Sequence, residues 1–489
     1  MDRTQTTKHK KLPIALALVL SVISFSPLQA QEPRTQFRAG AATSNITLPL
    51  GARNGGVIAR GGAAKNIHDE LHARCLVLDD GKTKVAIVVC DLRMIIRDVT
   101  DAAKKLAEEA TGIPAENILI SATHTHGSPG VIGMHTDEID LWYSDFLIKR
   151  MADGIQRANE NLAPAKVGWG SGSSPNQVFN RRWFMKEGAI KPNPFGEEGE
   201  IIRTNPSRMS KLLDKPAGPV DPEVSILSVQ HSDGRPLALI ANYGVHYIGG
   251  YKGGSVSSDY FGVFASQVES LLATDSNDPP FVAMMSNGTS GDTNNVNFQS
   301  PKSPSKPWEK MTAVAKELAD EVHRVYKTIE HRDDLSLSAA TTELELGVRK
   351  PDAKRIAWAE KMMTPKADDT AVKINPRHVI YAQEALELAK FPATVSIQLQ
   401  AIRIGDIGIT GIPCEVFAET GLALKKESPL KNSFTIELAN GYNGYLPTAQ
   451  DHEWGGYETW PARSSYLETE AETKIRSASL ELLKKVAAE

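Results

Sequence analysis

Cysteine is scarce in this chain of 489 residues: Cys75, Cys90 and Cys414 are the only three. Thiols so few and so scattered build neither a disulfide framework nor a cysteine-rich metal site, and Cys75 and Cys90 lie in apolar runs that read as buried. An excess of one charge sign is lacking too. The formal net charge of −4 excludes the strongly basic face of a dedicated nucleic-acid binder, and neither a Cys/His finger nor a Gly-Lys phosphate loop occurs. No apolar run reaches the roughly 20 residues of a membrane-spanning helix. The run over residues 12–25 follows Lys8, Lys10 and Lys11 and precedes Leu28-Gln29-Ala30. Basic, apolar and small residues in that order read as a secretory signal peptide over residues 1–30. The mature protein is therefore expected to be secreted or periplasmic, with no stable transmembrane anchor after cleavage. Internal repeats, low-complexity tracts and a clean interdomain linker are also missing, so residues 31–489 read as a single domain.

What is present belongs to a soluble globular protein with a large core, at 41% hydrophobic and 23% charged residues. Strand patterns run over residues 72–78 and 84–90, and Asp79-Asp80-Gly81-Lys82 between them is a hairpin signal. Helical spacing over 101–111, a strand over 118–126 and a helix over 143–161 continue an α/β alternation. Residues 168–219, rich in Gly, Pro, Ser, Asn and charge, read as one long loop. Further strands are expected over 224–230, 237–245, 281–285, 336–346, 395–403, 407–410 and 434–438. Helices are expected over 261–273, 308–330, 352–363, 378–389, 416–426 and 470–488. The fold class is α/β, with mixed β-sheets flanked by helices.

Residues fit for metal binding or acid/base work recur at the ends of these strands. His124 and His126 close the strand that opens at Ile118, and in extended chain residues two apart share a face. His246 follows residues 237–245, and Glu415 follows residues 407–412. Gly291-Asp292 lies beyond residues 281–285, and Asn440-Gly441-Tyr442-Asn443-Gly444-Tyr445 beyond residues 434–438. In open α/β sheets ligand sites lie past the carboxyl ends of strands. Two or three N/O ligands with an open position hold catalytic zinc, although manganese and iron accept the same ligand types. Singly, each feature has a plain alternative: a core histidine at His246, a helix-opening acid at Glu415, a Gly/Asn turn at Asn440. Together they favour a metal site at the strand tips.

The segments Thr123-His124-Thr125-His126-Gly127-Ser128-Pro129 and Asn440-Gly441-Tyr442-Asn443-Gly444-Tyr445-Leu446-Pro447-Thr448, the second continuing to Tyr457-Glu458, resemble the neutral/alkaline non-lysosomal ceramidase family. The resemblance covers most of the chain from about Phe37 onward. It implies a ceramidase-like catalytic domain, an amidohydrolase activity and one zinc ion per chain. It places the zinc ligands at His124, His246, Glu415 and Tyr445. His126 then faces the substrate as a catalytic group, and Arg181 and Tyr457 become active-site donors to a developing oxyanion.

Two departures stand out. Asn294, in Gly291-Asp292-Thr293-Asn294-Asn295-Val296, occupies the position of the family's catalytic serine, and an amide cannot be that nucleophile although it can donate a hydrogen bond. The family's C-terminal immunoglobulin-like domain is expected to be absent. The resulting expectation is a secreted zinc hydrolase that cleaves an N-acyl amide or related acyl bond with metal-activated water. A zinc enzyme acting on an ester or carbohydrate bond, and a non-catalytic ligand-binding protein, remain as alternatives. The expected ligand is a small molecule, lipid or glycan. Arg181, Arg182, Lys186 and Lys191 read either as a surface for an anionic or sugar-like substrate or as part of a solvated loop.

Overall fold

The computed structural model describes residues 4–10, 36–52, 62–129, 141–273, 278–364 and 376–489. The chain divides into two units, Met1–Thr35 and Gln36–Glu489. In the first, residues 4–10 are exposed and carry no regular structure. The signal-peptide expectation otherwise falls outside the described residues.

The second unit is built on two sheets. The larger orders its strands Val282–Asn287, Pro236–Tyr243, Glu223–His231, Ala163–Ser173, Arg38–Asn45, His72–Asp79, Lys84–Cys90 and Ile118–Ala122, with His331–Arg332 added to Ala163–Ser173. Its interior pairs are antiparallel and its two outermost pairs are parallel. The second sheet runs Leu337–Gly347, Thr394–Ile404, Ile407–Ile412, Asn432–Glu437, and its last pair is also parallel. Each parallel pair is bridged by a helix: Arg97–Thr111, Asp259–Leu272 and Ala418–Glu427 respectively. Parallel neighbours require such a crossover, and both strands then end at the same edge.

Alternation along the strands sets the layers. In His72–Asp79, Ala73, Cys75 and Val77 face the cluster formed with the helices Arg97–Thr111 and Leu141–Glu160. Leu76 and Leu78 face the opposite way, against Ile402, Ile404, Ile407, Ile409 and Phe434 of the second sheet. The outer face of the second sheet packs Leu399, Ala401 and Ile412 against Ile475, Leu482 and Leu483 of the closing helix, Ala471–Ala488. The unit is thus a four-layer sandwich of helices, sheet, sheet and helices. The expected mixed sheets flanked by helices are present.

Residues 168–219 are not one loop. Residues 168–173 belong to an eleven-residue strand inside the large sheet, and Arg182–Met185, Ile202–Thr204 and Leu213–Pro216 make a small sheet of their own. The Gly-rich run that looks like loop sequence lies under a helix: a Cβ on Gly170 would come within 2.7 Å of Val325 in the helix Glu309–Tyr326. Glycine there admits close helix–sheet contact. Cys75, Cys90 and Cys414 are buried free thiols, as expected from their apolar surroundings.

Candidate metal centre

The three parallel crossovers deliver the central side chains to one edge. His124 lies two residues past Ile118–Ala122, His246 three past Pro236–Tyr243, and Glu415 three past Ile407–Ile412. The edges of the two sheets are joined at this point. Ala122 N donates to Leu438 O at 3.2 Å and Asn440 N to Ile120 O at 2.7 Å. The Asn440 side-chain oxygen also accepts from Ile120 N at 3.1 Å. Leu438 and Asn440 hold positive φ, 53° and 61°, and this turn carries the chain from the second sheet across to the histidines.

His124 departs from the expected geometry. The strand ends at Ala122, and His124 adopts φ 71°, a region that non-glycine residues enter at a cost and that clusters at functional sites. The two histidines therefore meet through a reversal of the backbone rather than through strand alternation. Two main-chain contacts secure it: His124 N donates to Leu92 O at 2.9 Å, and His124 Nδ1 lies 2.8 Å from Arg93 O.

His124, His126 and His246 place ring nitrogens within 4.8 Å of one another. The Nε2 atoms of His246 and His126 lie 3.1 and 3.3 Å from His124 Nε2. Glu415 Oε2 stands 3.5 Å from His124 Nε2 and 3.9 Å from His246 Nε2. It is buried without a hydrogen-bond partner among the described residues, while the other oxygen accepts from the Tyr442 hydroxyl at 2.7 Å. The second ring nitrogen of His246 faces Ser290 O at 3.2 Å. A carbonyl on Nδ1 fixes the tautomer in which Nε2 carries the lone pair, so His124 and His246 both present Nε2 as ligand atoms. His126 is different. It is the half-buried member of the three, its ring stacks 3.6 Å from that of Tyr247, and its Nε2 faces that of His124.

Burial, together with nearby guanidiniums, holds the imidazoles of His246 and His126 well below the ordinary histidine range and that of His124 below it. They are neutral at pH 7, the state that binds metal. Two or three imidazole nitrogens converging on an unpartnered carboxylate oxygen fit a divalent metal better than they fit one another. The donor set suits zinc.

Tyr445 sits opposite Glu415 in the short parallel pair Glu415–Val416 and Tyr445–Leu446. Its ring lies under the Arg181 guanidinium at 5.3 Å, and its hydroxyl is within hydrogen-bonding reach of Arg181 and Tyr457. The hydroxyl seen on Glu415 is that of Tyr442. Arg181 bonds Gly291 O at 2.6 Å, approaches His246 Nε2 at 3.3 Å and pairs with Glu458 at 2.9 Å. Arg182 pairs with Glu458 and Asp451 at 2.9 and 3.2 Å, so neither arginine is part of a solvated loop. Asn294 is half-buried and donates to Asn205 at 2.8 Å. Its neighbour Thr293 donates to Gly244 O.

Sequence reasoning missed Arg93, Tyr247, Glu437 and Glu458. Glu437 receives Asn287, both Ser290 donors and Val416 N, which ties the strand before His246's partner Ser290 to the turn carrying Glu415. The signal available for Arg93 was its position three residues beyond a strand end, next to Asp91.

A family model for neutral/alkaline non-lysosomal ceramidase, N-terminal, matches residues 37–324. Within that span lie His124, His126, Arg181, His246 and Asn294, while Glu415, Tyr445 and Tyr457 lie beyond it. The chain is similar to neutral ceramidase of Drosophila pseudoobscura pseudoobscura, at 29% identity over 171 residues, 32% of this chain and 23% of that protein. It is similar to neutral ceramidase of Pseudomonas aeruginosa at 26% over 191 residues, 37% and 25% of the two chains. The matched stretches thus span a quarter or less of those relatives' length. Among solved structures, neutral ceramidase from Pseudomonas aeruginosa superposes with a TM-score of 0.66 at 17% identity, covering 93% of this chain and 75% of that one. A ceramidase complexed with C2 gives 0.68 at 16%, covering 93% and 76%. At such identity the likeness is one of fold.

Proposed function

Because the chain belongs to the neutral/alkaline non-lysosomal ceramidase family, we propose that it is a zinc-dependent hydrolase that cleaves an N-acyl amide with water as nucleophile. The observation that carries this reading is the pair of carbonyl-held histidines, His124 and His246, whose Nε2 atoms face the unpartnered Oε2 of Glu415. These three would hold the metal, with Tyr445 as the fourth ligand that the family resemblance implies. When bound, zinc supplies Lewis acidity, polarising a carbonyl and bringing the pKa of water to about 7.

The chain's own groups supply the rest. Arg181, clamped by Gly291 O and Glu458, and the half-buried Tyr457 donate to oxygen charge that develops at the carbonyl. A single donor so placed commonly contributes about 3–4 kcal/mol. His126 is neutral and half-buried beside the ligands. It is placed to take a proton and pass it to the leaving amine. Asn294 carries no hydroxyl and the Thr293 hydroxyl is spent on Gly244 O, which supports water rather than either side chain as nucleophile. The leader over residues 1–30 supports export. Among the described residues no helix is long and apolar enough to cross a membrane.

A hydrolysis panel of N-acyl lipids including ceramide, acyl esters and acylated or uronic sugars tests the reading, each with and without chelator. The expected result is amide turnover that chelation abolishes and zinc restores. Turnover confined to esters or sugars, or activity indifferent to chelator, would overturn it.

A further inference from the structure

We propose that Arg93 recognises the substrate by pairing with an anionic oxygen-bearing substituent, a carboxylate, held beside the bond that is cut. The inference narrows the amide-hydrolase reading above and rests on it for the identity of that bond.

Arg93 is 4% exposed and its backbone is locked into the metal-centre turn. Its N–H donates to Ser128 Oγ at 2.8 Å, and its carbonyl faces His124 Nδ1 at 2.8 Å. Among the described residues the side chain makes one hydrogen bond, from Nη2 to His126 O at 3.2 Å, and its buried Nε and Nη1 have no hydrogen-bond partner there. The groups that face it electrostatically are the hydroxyls of Tyr247, Tyr442 and Tyr457 and the carboxylate of Glu415, so the fork opens on the reaction site.

The neighbouring buried guanidiniums are closed by acids. Arg74 holds Asp91 at 2.7 Å, Arg181 holds Glu458 at 2.9 Å, and Arg182 holds Glu458 and Asp451. Arg93 has no ion pair among the described residues. Glu415 is already engaged, one oxygen by Tyr442 and the other at the histidines. A buried, uncompensated cation is unfavourable until a counter-charge arrives, and the planar fork of arginine matches a carboxylate with two parallel hydrogen bonds. The surroundings act in the same sense. A cavity of about 890 Å³ borders Tyr457, with Lys191, Arg203 and Arg377 on its wall. Its described acid, Glu200, is bonded by Trp460 Nε1 at 2.7 Å. Tyr457 lines this cavity and is also among the groups that face Arg93. An N-acyl amino acid has the required chemistry: an acyl chain, a scissile amide and a carboxylate one carbon away.

The test uses matched pairs. N-dodecanoylglycine and N-dodecanoylethanolamine differ at the carboxylate, and their sulfonyl analogues, which are not hydrolysed, report binding by calorimetry. The wild type is expected to favour the glycine member in kcat/KM and in Kd. In Arg93→Met that ratio falls about 10- to 100-fold, the worth of a charge-assisted hydrogen bond, mainly through KM, and Arg93→Lys recovers part of it. A wild-type protein that binds both sulfonyl analogues equally would overturn the proposal whether or not Arg93→Met folds. So would an unchanged kcat/KM ratio in a folded Arg93→Met. Selective binding of the sulfonylglycine by a wild type that hydrolyses neither amide would leave Arg93's role standing and sink the amidase reading instead.

Discussion

Glu458 shows how much of the centre depends on single residues. It is completely buried and faces Arg181 through one oxygen and Arg182 through the other, each at 2.9 Å. Burial works against its charge, but the two guanidiniums hold its carboxyl below the usual range. Glu458→Gln strands the buried Arg181, while Arg182 keeps Asp451, and is expected to cost about 3–5 kcal/mol in urea unfolding, with a loss of kcat from the displaced Arg181. A cost below about 1 kcal/mol would contradict the ion-pair account. His124→Ala and His246→Ala are each expected to abolish zinc binding, measured as zinc per chain against about one for the wild type. Full occupancy in the double variant would refute the ligand assignment. Asp292 carries a pH signature. Burial pushes its carboxyl up to about 7, above the roughly 3.9 of an unfolded aspartate. The folded state holds the proton more tightly, so this contribution is full below pH ~4 and is lost as pH rises through about 7. Asp292→Asn, which keeps an acceptor for Ala418 N, should lose less stability than wild type between pH 5 and 8. Equal losses would show that Asp292 is ionised throughout. His124, His246 and Glu415 were readable in the sequence as residue types at strand ends, and Asn294 was singled out only through the family resemblance. The orphaned fork of Arg93 was not, because nothing in the sequence tells a paired guanidinium from an unpaired one.

At the scale of elements, the longer helices and many of the strands follow from periodicity, whereas Arg38–Asn45, Ala163–Ser173 and the small sheet of Arg182–Met185, Ile202–Thr204 and Leu213–Pro216 do not. The strand under the helix Glu309–Tyr326 looked like loop because close packing demands glycine, and glycine is also what loops use. The turn at His124 was hidden because αL geometry at histidine has no sequence mark. Gly444 makes the converse point, since its role is steric. It holds φ 80°, and a Cβ there would stand 2.5 Å from Ser464 O. Its carbonyl accepts Glu415 N at 2.9 Å, and the next residue, Tyr445, bonds Ser464 O. Gly444→Ala is expected to shift the Glu415–Tyr445 pair and weaken zinc affinity about 10- to 100-fold, as loss of outer support does, without change in circular dichroism. Unaltered affinity would show that the pair tolerates the displacement.

For the whole molecule, the decisive fact is that His124 and His246 belong to one sheet and Glu415 to the other. The apolar interface between the sheets therefore sets the distance between ligands. Trp169 and Phe434 stack across it with ring centroids 5.7 Å apart. Phe434→Ala should cost about 3–5 kcal/mol and weaken zinc binding from a distance; stability loss with unchanged affinity would decouple the two. Metal spanning both sheets should also stabilise the fold. Free zinc roughly a thousandfold above Kd contributes about 4 kcal/mol, so chelation should lower the melting temperature by several degrees. A melting temperature insensitive to chelator would place the metal elsewhere or nowhere.

By itself the sequence determined the α/β class, the order of the main elements and the recurrence of ligand-type residues at strand ends. These follow from local periodicity and composition, which the chain cannot hide. Only the tertiary structure decided which tips converge, that the Tyr442 hydroxyl bonds Glu415, that Asn294 bonds Asn205, and that Arg93 is buried without an ion pair among the described residues. Each depends on residues more than 20 positions apart, brought together by the joined edges of two sheets. That juxtaposition is set by packing between layers, to which no local pattern in the sequence refers.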